Sequence, residues 1–159
     1  MKLINIREAL PGDTDLLYEL FSETDQMHRD AHPEIFREAK NPKHIKAYYL
    51  HCINHSDAVI FIAEMDAKIV GAIVCVLEVT SDIPVRVPRK YACIENITVS
   101  TKFRKQGIGN SLIEAAQAWA KHMGATMMEL TVWEFNWGAK QFYKKQGYQA
   151  TRSRMVKDL

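Results

Sequence analysis

The chain reads as an α/β (α+β) domain with a mixed sheet, in the order β-α-α-β-β-β-α-β-α-β. Three observations carry that reading. Two amphipathic segments with helix-start signals follow a short first strand. A run of β-branched residues is then broken only by the two-residue turn Asp66-Ala67. After it, strand-like segments alternate with two helical ones, the pattern that builds helices onto a sheet.

The first strand spans residues 3–9, where the alternation is weak. Pro11-Gly12-Asp13-Thr14 turns the chain into a helix whose apolar face carries Leu16, Leu17, Leu20 and Phe21. Residues 28–40 read as irregular. Asn41-Pro42 supplies an N-cap followed by proline at the first helical position, and the helix it opens carries Ile45, Tyr48, Tyr49, Cys52 and Ile53. Residues 59–65 and 68–79 form a hairpin. Residues 80–90 contain Pro84 and Pro88 and read as loop or edge, not central strand. Residues 91–99 form a strand. Residues 108–123 form the strongest amphipathic helix, with Leu112, Ala116, Trp119, Ala120 and Met123 as its stripe and Gly124 as its stop. A strand over 127–134, a helix over 136–146 stopped by Gly147, and a last strand over 148–156 complete the order.

With 159 residues and no repeat or Ser/Gly linker, the expectation is one domain over 1–159, large enough to fold without a metal or disulfide. Twenty-one Lys and Arg against nineteen Asp and Glu leave a formal charge of +2, too balanced to imply nucleic-acid binding. The longest apolar stretch is about half a bilayer span. The first residues, Met-Lys-Leu-Ile-Asn-Ile-Arg-Glu, meet charge too early for a signal peptide. A soluble cytoplasmic protein without membrane or nucleic-acid partners is expected. Cys52, Cys75 and Cys93 read as reduced, small core residues. The pairs His28/His32 and His51/His55 have helical spacing, but Arg29 and Cys52 stand where a zinc-protease helix needs glutamate, so no metal is expected.

The most informative segment is Arg104-Lys105-Gln106-Gly107-Ile108-Gly109-Asn110-Ser111, between a strand and the best helix. Two glycines one residue apart let the backbone turn its N–H groups inward just where the helix begins. The helix N-terminus adds roughly half a positive charge, and Lys102, Arg104 and Lys105 crowd the same place. Such a loop is suited to cradle a diphosphate; a glycine-tolerant loop with solvated lysines is the structural alternative. It is not a Rossmann fingerprint, because Leu112 replaces the third glycine. Nor is it a P-loop, because Gly109 is followed by Asn110-Ser111.

The loop follows Glu95-Asn96-Ile97-Thr98-Val99. About thirty residues further on come Asn136-Trp137-Gly138-Ala139-Lys140-Gln141-Phe142-Tyr143 and then Gly147-Tyr148. This combination resembles the GCN5-related N-acetyltransferase (GNAT) superfamily, in element order over nearly the whole chain and in motif from Glu95 to Tyr148. Lys105 departs from the pattern, since glycine is frequent there. The resemblance implies a twisted, mostly antiparallel sheet of six to seven strands with about four helices. It also implies acetyl-CoA as cosubstrate. Its pyrophosphate would lie on Arg104, Lys105, Gln106, Gly107, Ile108, Gly109 and Asn110, with its pantetheine paired like an added strand against Ile97, Thr98 and Val99.

Acetyl transfer to an amine requires removal of an ammonium proton, donors for an oxyanion, and a proton for the departing thiolate. Glu95 is the candidate base. Strand alternation puts it on one face with Tyr91, Cys93, Ile97 and Val99, where a carboxylate is costly unless paired or wet; a buried ion pair is the structural alternative. The resemblance implies that a glutamate here acts through water. Tyr143 is the candidate acid, on one helical face with Asn136 and Ala139, and a phenol stays protonated at neutral pH; an ordinary core tyrosine beside Phe142 is the structural alternative. The resemblance gives Asn136 a pantetheine contact and Tyr143 a place near the sulfur. A backbone N–H near Ile97 is the expected oxyanion donor.

His28, Asp30, His32, Glu34 and Phe36 are candidates for holding a cationic acceptor, since in resembling enzymes the region between the first two helices covers the substrate. The expected activity is direct transfer to a small amine: polyamine, amino acid or drug-like amine. A protein amine as acceptor and a non-catalytic CoA-binding module remain as alternatives. Trp133 and Trp137 offer exposed aromatic surface on which a homodimer can form.

Overall fold

The computed structural model describes residues 3–80 and 84–159; Met1 and Lys2, and Ser81, Asp82 and Ile83 of the proline-containing loop, lie outside the described residues. Five strands form a single sheet in sequence order. They are β1 (Asn5–Glu8), β2 (Ala58–Met65), β3 (Lys68–Val79), β4 (Lys90–Val99) and β5 (Met127–Leu130). Every neighbouring pair is antiparallel except β4 and β5. The helices are α1 (Thr14–Ala31), α2 (Pro42–Asn54), α3 (Ile108–His122) and α4 (Trp137–Lys145). Among the described residues no helix is long and apolar enough to cross a membrane.

Strand alternation divides the core between the two faces of the sheet. Ile60, Ile62, Ala72 and Val74 point to α1 and α2, where they meet Leu17, Leu20, Phe21, Tyr49 and Cys52. Val59, Ala63, Ile73, Cys75 and Ile94 point to α3, where they meet Ile108, Leu112, Ile113 and Ala116. The stripe expected on α3 gains Ile113, while Trp119 and Met123 pack only partly buried at its edge. On α1, Leu17, Leu20 and Phe21 are buried as expected but Leu16 is exposed. Asn41 caps α2 by accepting a hydrogen bond from the Lys43 N–H at 3.0 Å.

Three expectations need correction. Among the described residues the sheet has five strands, not six or seven, and residues 148–156 form none. They pair with no strand of the sheet, and Met155 and Val156 are exposed. β5 stops at Leu130 instead of reaching 134. Residues 131–136 turn away from β4, and Trp133 and Phe135 pack on α1 instead. Finally, 28–31 are not irregular: α1 continues to Ala31, and the His32 N–H closes its last turn on the His28 carbonyl at 2.9 Å.

Candidate active site: a notch between two parallel strands

The parallel pairing of β4 with β5 runs from Tyr91↔Met127 to Ile94↔Leu130 and ends there, although β4 continues to Val99. Beyond Ile94 the strands part and leave a notch. A β-bulge sits at the parting. On β3, Val74 pairs with Asn96 and the next residue, Cys75, pairs with Ile94, so Glu95 is the extra residue. The bulge overturns the simple alternation. Ile97 and Val99 pack with Ile94 on the α3 face, whereas Thr98 turns to α1 and accepts a hydrogen bond from the Thr24 hydroxyl at 2.8 Å.

The backbone of β4 beyond the bulge serves two edges. The Ser100 N–H donates to the Val70 carbonyl of β3 at 2.9 Å. Because backbone groups alternate in direction along a strand, those of Ile97 and Val99 face the notch and those of Thr98 face β3. The Val99 carbonyl accepts from Arg104 Nε at 2.9 Å, which ties the following loop to the rim of the notch.

That loop is built by backbone sign changes. Gly107 caps α3 at φ +85°, a left-handed conformation natural to glycine. Lys105 adopts φ +61° without that freedom, a cost of about 1–2 kcal/mol for an L-residue. Gly109 has a different reason to be glycine: a Cβ there would stand 3.2 Å from Phe142 Cζ, where α4 closes on the first turn of α3. Asn110 accepts from Gln146 Nε2 at 2.9 Å across the same junction. Ile108, Gly109 and Asn110 open α3 with N–H groups that a helix leaves without partners. Gln106 lies in the turn between Lys105 and Gly107.

Glu23 of α1 anchors the approach to the loop. It accepts from the Thr101 N–H (3.1 Å), the Thr101 hydroxyl (2.9 Å) and the Ser100 hydroxyl (3.2 Å). Burial opposes its charge, but these donors and Arg104 outweigh that and hold the carboxyl below its usual range. Between α1, this turn and Phe135 lies a cavity of about 530 Å³, lined in part by Asp30 and Arg104.

Glu95 is exposed, not desolvated among apolar neighbours as expected. Its surroundings are thiols and a phenol. Burial and then the Glu95 carboxylate push the Cys93 thiol up to about 12. Tyr48 of α2 is raised by burial first, then by Cys52 and by Glu95. Glu95 therefore stands on the α2 side of the sheet. Tyr143 stands on the other side, packed against the α3 cluster. Burial raises its phenol, with Tyr148 and Cys75 adding to the effect, so it stays protonated. Cys75 links the two sides, since its own thiol is pushed up to about 12 by burial, Cys93 and Glu95.

Tyr143 is positioned by the way α4 ends. The Tyr148 N–H donates to the Tyr143 carbonyl at 3.0 Å and the Gly147 N–H to the Lys144 carbonyl at 3.1 Å. Gly147 is left-handed at φ +87°. This is a Schellman cap, and its accompanying contact is the edge-on Tyr143–Tyr148 ring pair at 5.7 Å. Asn136 starts the same helix, accepting from the Ala139 N–H at 3.1 Å, so its carbonyl oxygen serves the cap.

His28, His32 and Phe36 come together, as expected, but with two residues sequence reasoning missed. Rings pair in a closed circuit, His28–Phe36–Trp133–His32–Phe135–His28, with centroids 5.2–5.6 Å apart. Trp133 is thereby half-buried, not a free dimer surface, while Trp137 is exposed. The Thr24 carbonyl accepts from His28 Nδ1 at 2.8 Å, and His32 pairs with Glu34 at 2.8 Å. Asp30 and Glu34 are exposed; Asp30 accepts from Gln26 at 2.6 Å and lines the Arg104 cavity together with Phe135 of the circuit. The alternation Trp133-x-Phe135 next to the Asn136 cap was the available signal. α1 thus spans the notch, bonded to β4 through Thr24 and to the far bank through the rings. Among the described residues no grouping of three or more His, Cys, Asp or Glu is arranged to hold a metal.

This architecture has known counterparts. The chain is 34% identical over 110 residues to an uncharacterized N-acetyltransferase of Methanocaldococcus jannaschii, a match covering 69% of the chain and 47%, about half, of that relative. The crystal structure of a mutant BH1408 protein from Bacillus halodurans superposes with a TM-score of 0.89 at 26% identity, covering 98% of this chain and 99% of that one. The aminoglycoside acetyltransferase AAC(6')-Iy, solved with a bisubstrate analogue of CoA, shares the fold at a TM-score of 0.79 and 16% identity, covering 99% and 98%. The profile of the acetyltransferase (GNAT) family matches residues 17–148, and with the splayed strands, the bulge and the glycine-capped helix in place, the chain belongs to that family.

Proposed function

We propose that the protein is an acetyl-CoA-dependent N-acetyltransferase that moves the acetyl group directly to a primary amine of a small molecule. The observation that carries this reading is the alignment of the notch with the loop at its mouth. An unpaired strand edge at Ile97 and Val99 leads straight to Arg104 and the α3 N-terminus. An extended amide-bearing chain with an anionic tail matches that pair of surfaces. AAC(6')-Iy, which shares this fold, was solved in complex with a CoA bisubstrate analogue, which supports the reading here.

Glu95, wet on the α2 side, takes the ammonium proton through a water molecule. The amine lone pair then attacks the thioester carbonyl, and a notch-facing N–H near Ile97 receives the oxyanion. As the C–S bond breaks, Tyr143 donates its proton to the thiolate from the opposite face of the sheet; the second proton of the attacking nitrogen leaves to solvent as the amide forms, and the phenolate regains a proton from solvent. Base and acid on opposite faces let acceptor and thiol approach and leave by different sides. His28, His32 and Phe36, with Trp133 and Phe135, wall the acceptor side, and Asp30 and Glu34 add negative charge near it.

Calorimetric titration with coenzyme A tests the donor site, and thiol release over a panel of amines tests turnover. Binding that disappears when Gly109 is changed to Val, together with turnover lost in Glu95→Gln, is the expected outcome. A folded chain giving no heat with coenzyme A overturns the reading.

A further inference from the structure

The sheet face that holds Glu95 continues away from the notch, and it changes sign as it goes. Alternation places Tyr91, Cys93 and Glu95 of β4 on that face, together with Glu129 of β5, which pairs with Cys93, and Glu78 of β3. The carboxylates of Glu95, Glu78 and Glu129 all act on the Cys93 thiol. Arg89 lies over the Tyr91 ring, 4.8 Å from its centroid, and pairs with Glu129. Its guanidinium is therefore on the Glu95 face, level with positions two to four residues back along β4. At roughly 3.3 Å per residue that is about 7–13 Å from Glu95.

Beyond Arg89 the face ends in a cavity of about 310 Å³ lined by Thr80, Arg86, Val87, Arg89 and Arg152. Glu129 answers Arg89, but Arg86 and Arg152 are in no ion pair among the described residues, and both are exposed. The rim is held in shape at its base. The Thr80 N–H donates to the Arg89 carbonyl at 3.0 Å, and the Arg89 N–H donates to the Thr80 hydroxyl at 2.9 Å. Guanidinium groups gathered at one cavity suit a carboxylate or phosphate, to which they donate paired hydrogen bonds. One face of the sheet thus carries a carboxylate for an amine at one end and guanidiniums for an anion at the other.

We propose that the acceptor is an amine carrying an anionic group, carboxylate or phosphate, which Arg89 receives about 7–13 Å along the face from Glu95, with Arg86 and Arg152 at the same cavity. The proposal rests on the acetyl-transfer reading and adds the chemical class of the acceptor. A tripeptide spans about 10 Å at 3.3–3.6 Å per residue, so triglycine has the right reach, and its C-terminal amide has the same amine without the anion.

The experiment compares kcat/KM for triglycine, triglycine amide and an aminoalkyl phosphate of the same span, in the unsubstituted chain and in Arg86→Gln/Arg152→Gln. Coenzyme A affinity is measured by calorimetry throughout. Triglycine is expected to exceed its amide by about ten- to a hundredfold, the worth of charge-assisted hydrogen bonds, and the ratio is expected to fall toward one in the double variant. A faster phosphate probe assigns the rim to phosphate and a faster triglycine to carboxylate; either supports the proposal. Equal rates on the two peptides, a ratio that survives the double substitution, or no transfer to any probe by protein that binds coenzyme A overturns it. Absence of coenzyme A binding in the unsubstituted chain overturns the acetyl-transfer reading, and the proposal with it.

Discussion

The two halves of the sheet are built to different standards. On one side, β2 and β3 pair over eight residues each way, and Ile60, Ile62, Ala72 and Val74 disappear beneath α1 and α2. Even the charges are closed there. Arg7 donates to Asp13 at 2.8 Å and to Glu64 at 2.9 Å. On the other side, β4 and β5 pair over four residues and then part, with a bulge, an exposed carboxylate and a left-handed lysine at the edges of the gap. Stability is concentrated where the ladder is long, and the proposed chemistry where the ladder fails. A continuous sheet would satisfy its own backbone groups and leave none for a ligand.

That contrast is broken most sharply by changes that remove function without touching the fold. Glu95→Gln and Tyr143→Phe should each lower kcat by about 10²–10⁴-fold, the usual worth of a general base or acid, with unchanged coenzyme A affinity and thermal midpoint. A matching fall in thermal midpoint would make Glu95 structural. On the closed half the reverse is expected. Phe21, fully buried between α1 and the sheet, should cost about 3–5 kcal/mol when changed to Ala, read by urea unfolding, while the surviving folded fraction still binds coenzyme A.

A smaller effect follows from the Arg7 cluster. The Arg7 guanidinium holds Asp13 below its ordinary range, with burial opposing and the Leu10 amide assisting. Arg7 and then Asn5 hold Glu64 down in the same way. A depressed carboxyl stabilises the fold above its unfolded pKa and loses that contribution as pH falls through the folded one. Stability should therefore drop below about pH 4, and Arg7→Met should cost about 1–3 kcal/mol at neutral pH while flattening the acid limb of the urea midpoint. The smallest change concerns Lys105. Replacing it by Gly releases left-handed strain but adds unfolded-state entropy, for a net gain of about 0.5 kcal/mol. Coenzyme A affinity should weaken slightly and lose part of its salt dependence as one cation leaves the loop.

Much of the site was legible along the chain because its signals are local. Gly107 announces a left-handed cap, Asn136 a helix start and Gly147-Tyr148 a helix stop, and each does so within a few residues. The aromatic circuit was half legible: His28, His32 and Phe36 were in view, but Trp133 and Phe135 join them only because β5 ends early. The last strand expected over 148–156 shows the converse error. A period of two is necessary for a strand, yet it yields one only where another edge completes the ladder.

The sequence by itself determined the order of the elements as far as α4, the helix caps and the glycine turn into α3, since these rest on propensities and hydrogen bonds between near neighbours. The tertiary structure decided which residues face each other. A single inserted residue at Glu95 sent Ile97 and Val99 to the α3 face and left the carboxylate in water on the other. A bulge is defined by a partner strand about twenty residues away, so no pattern within β4 records it.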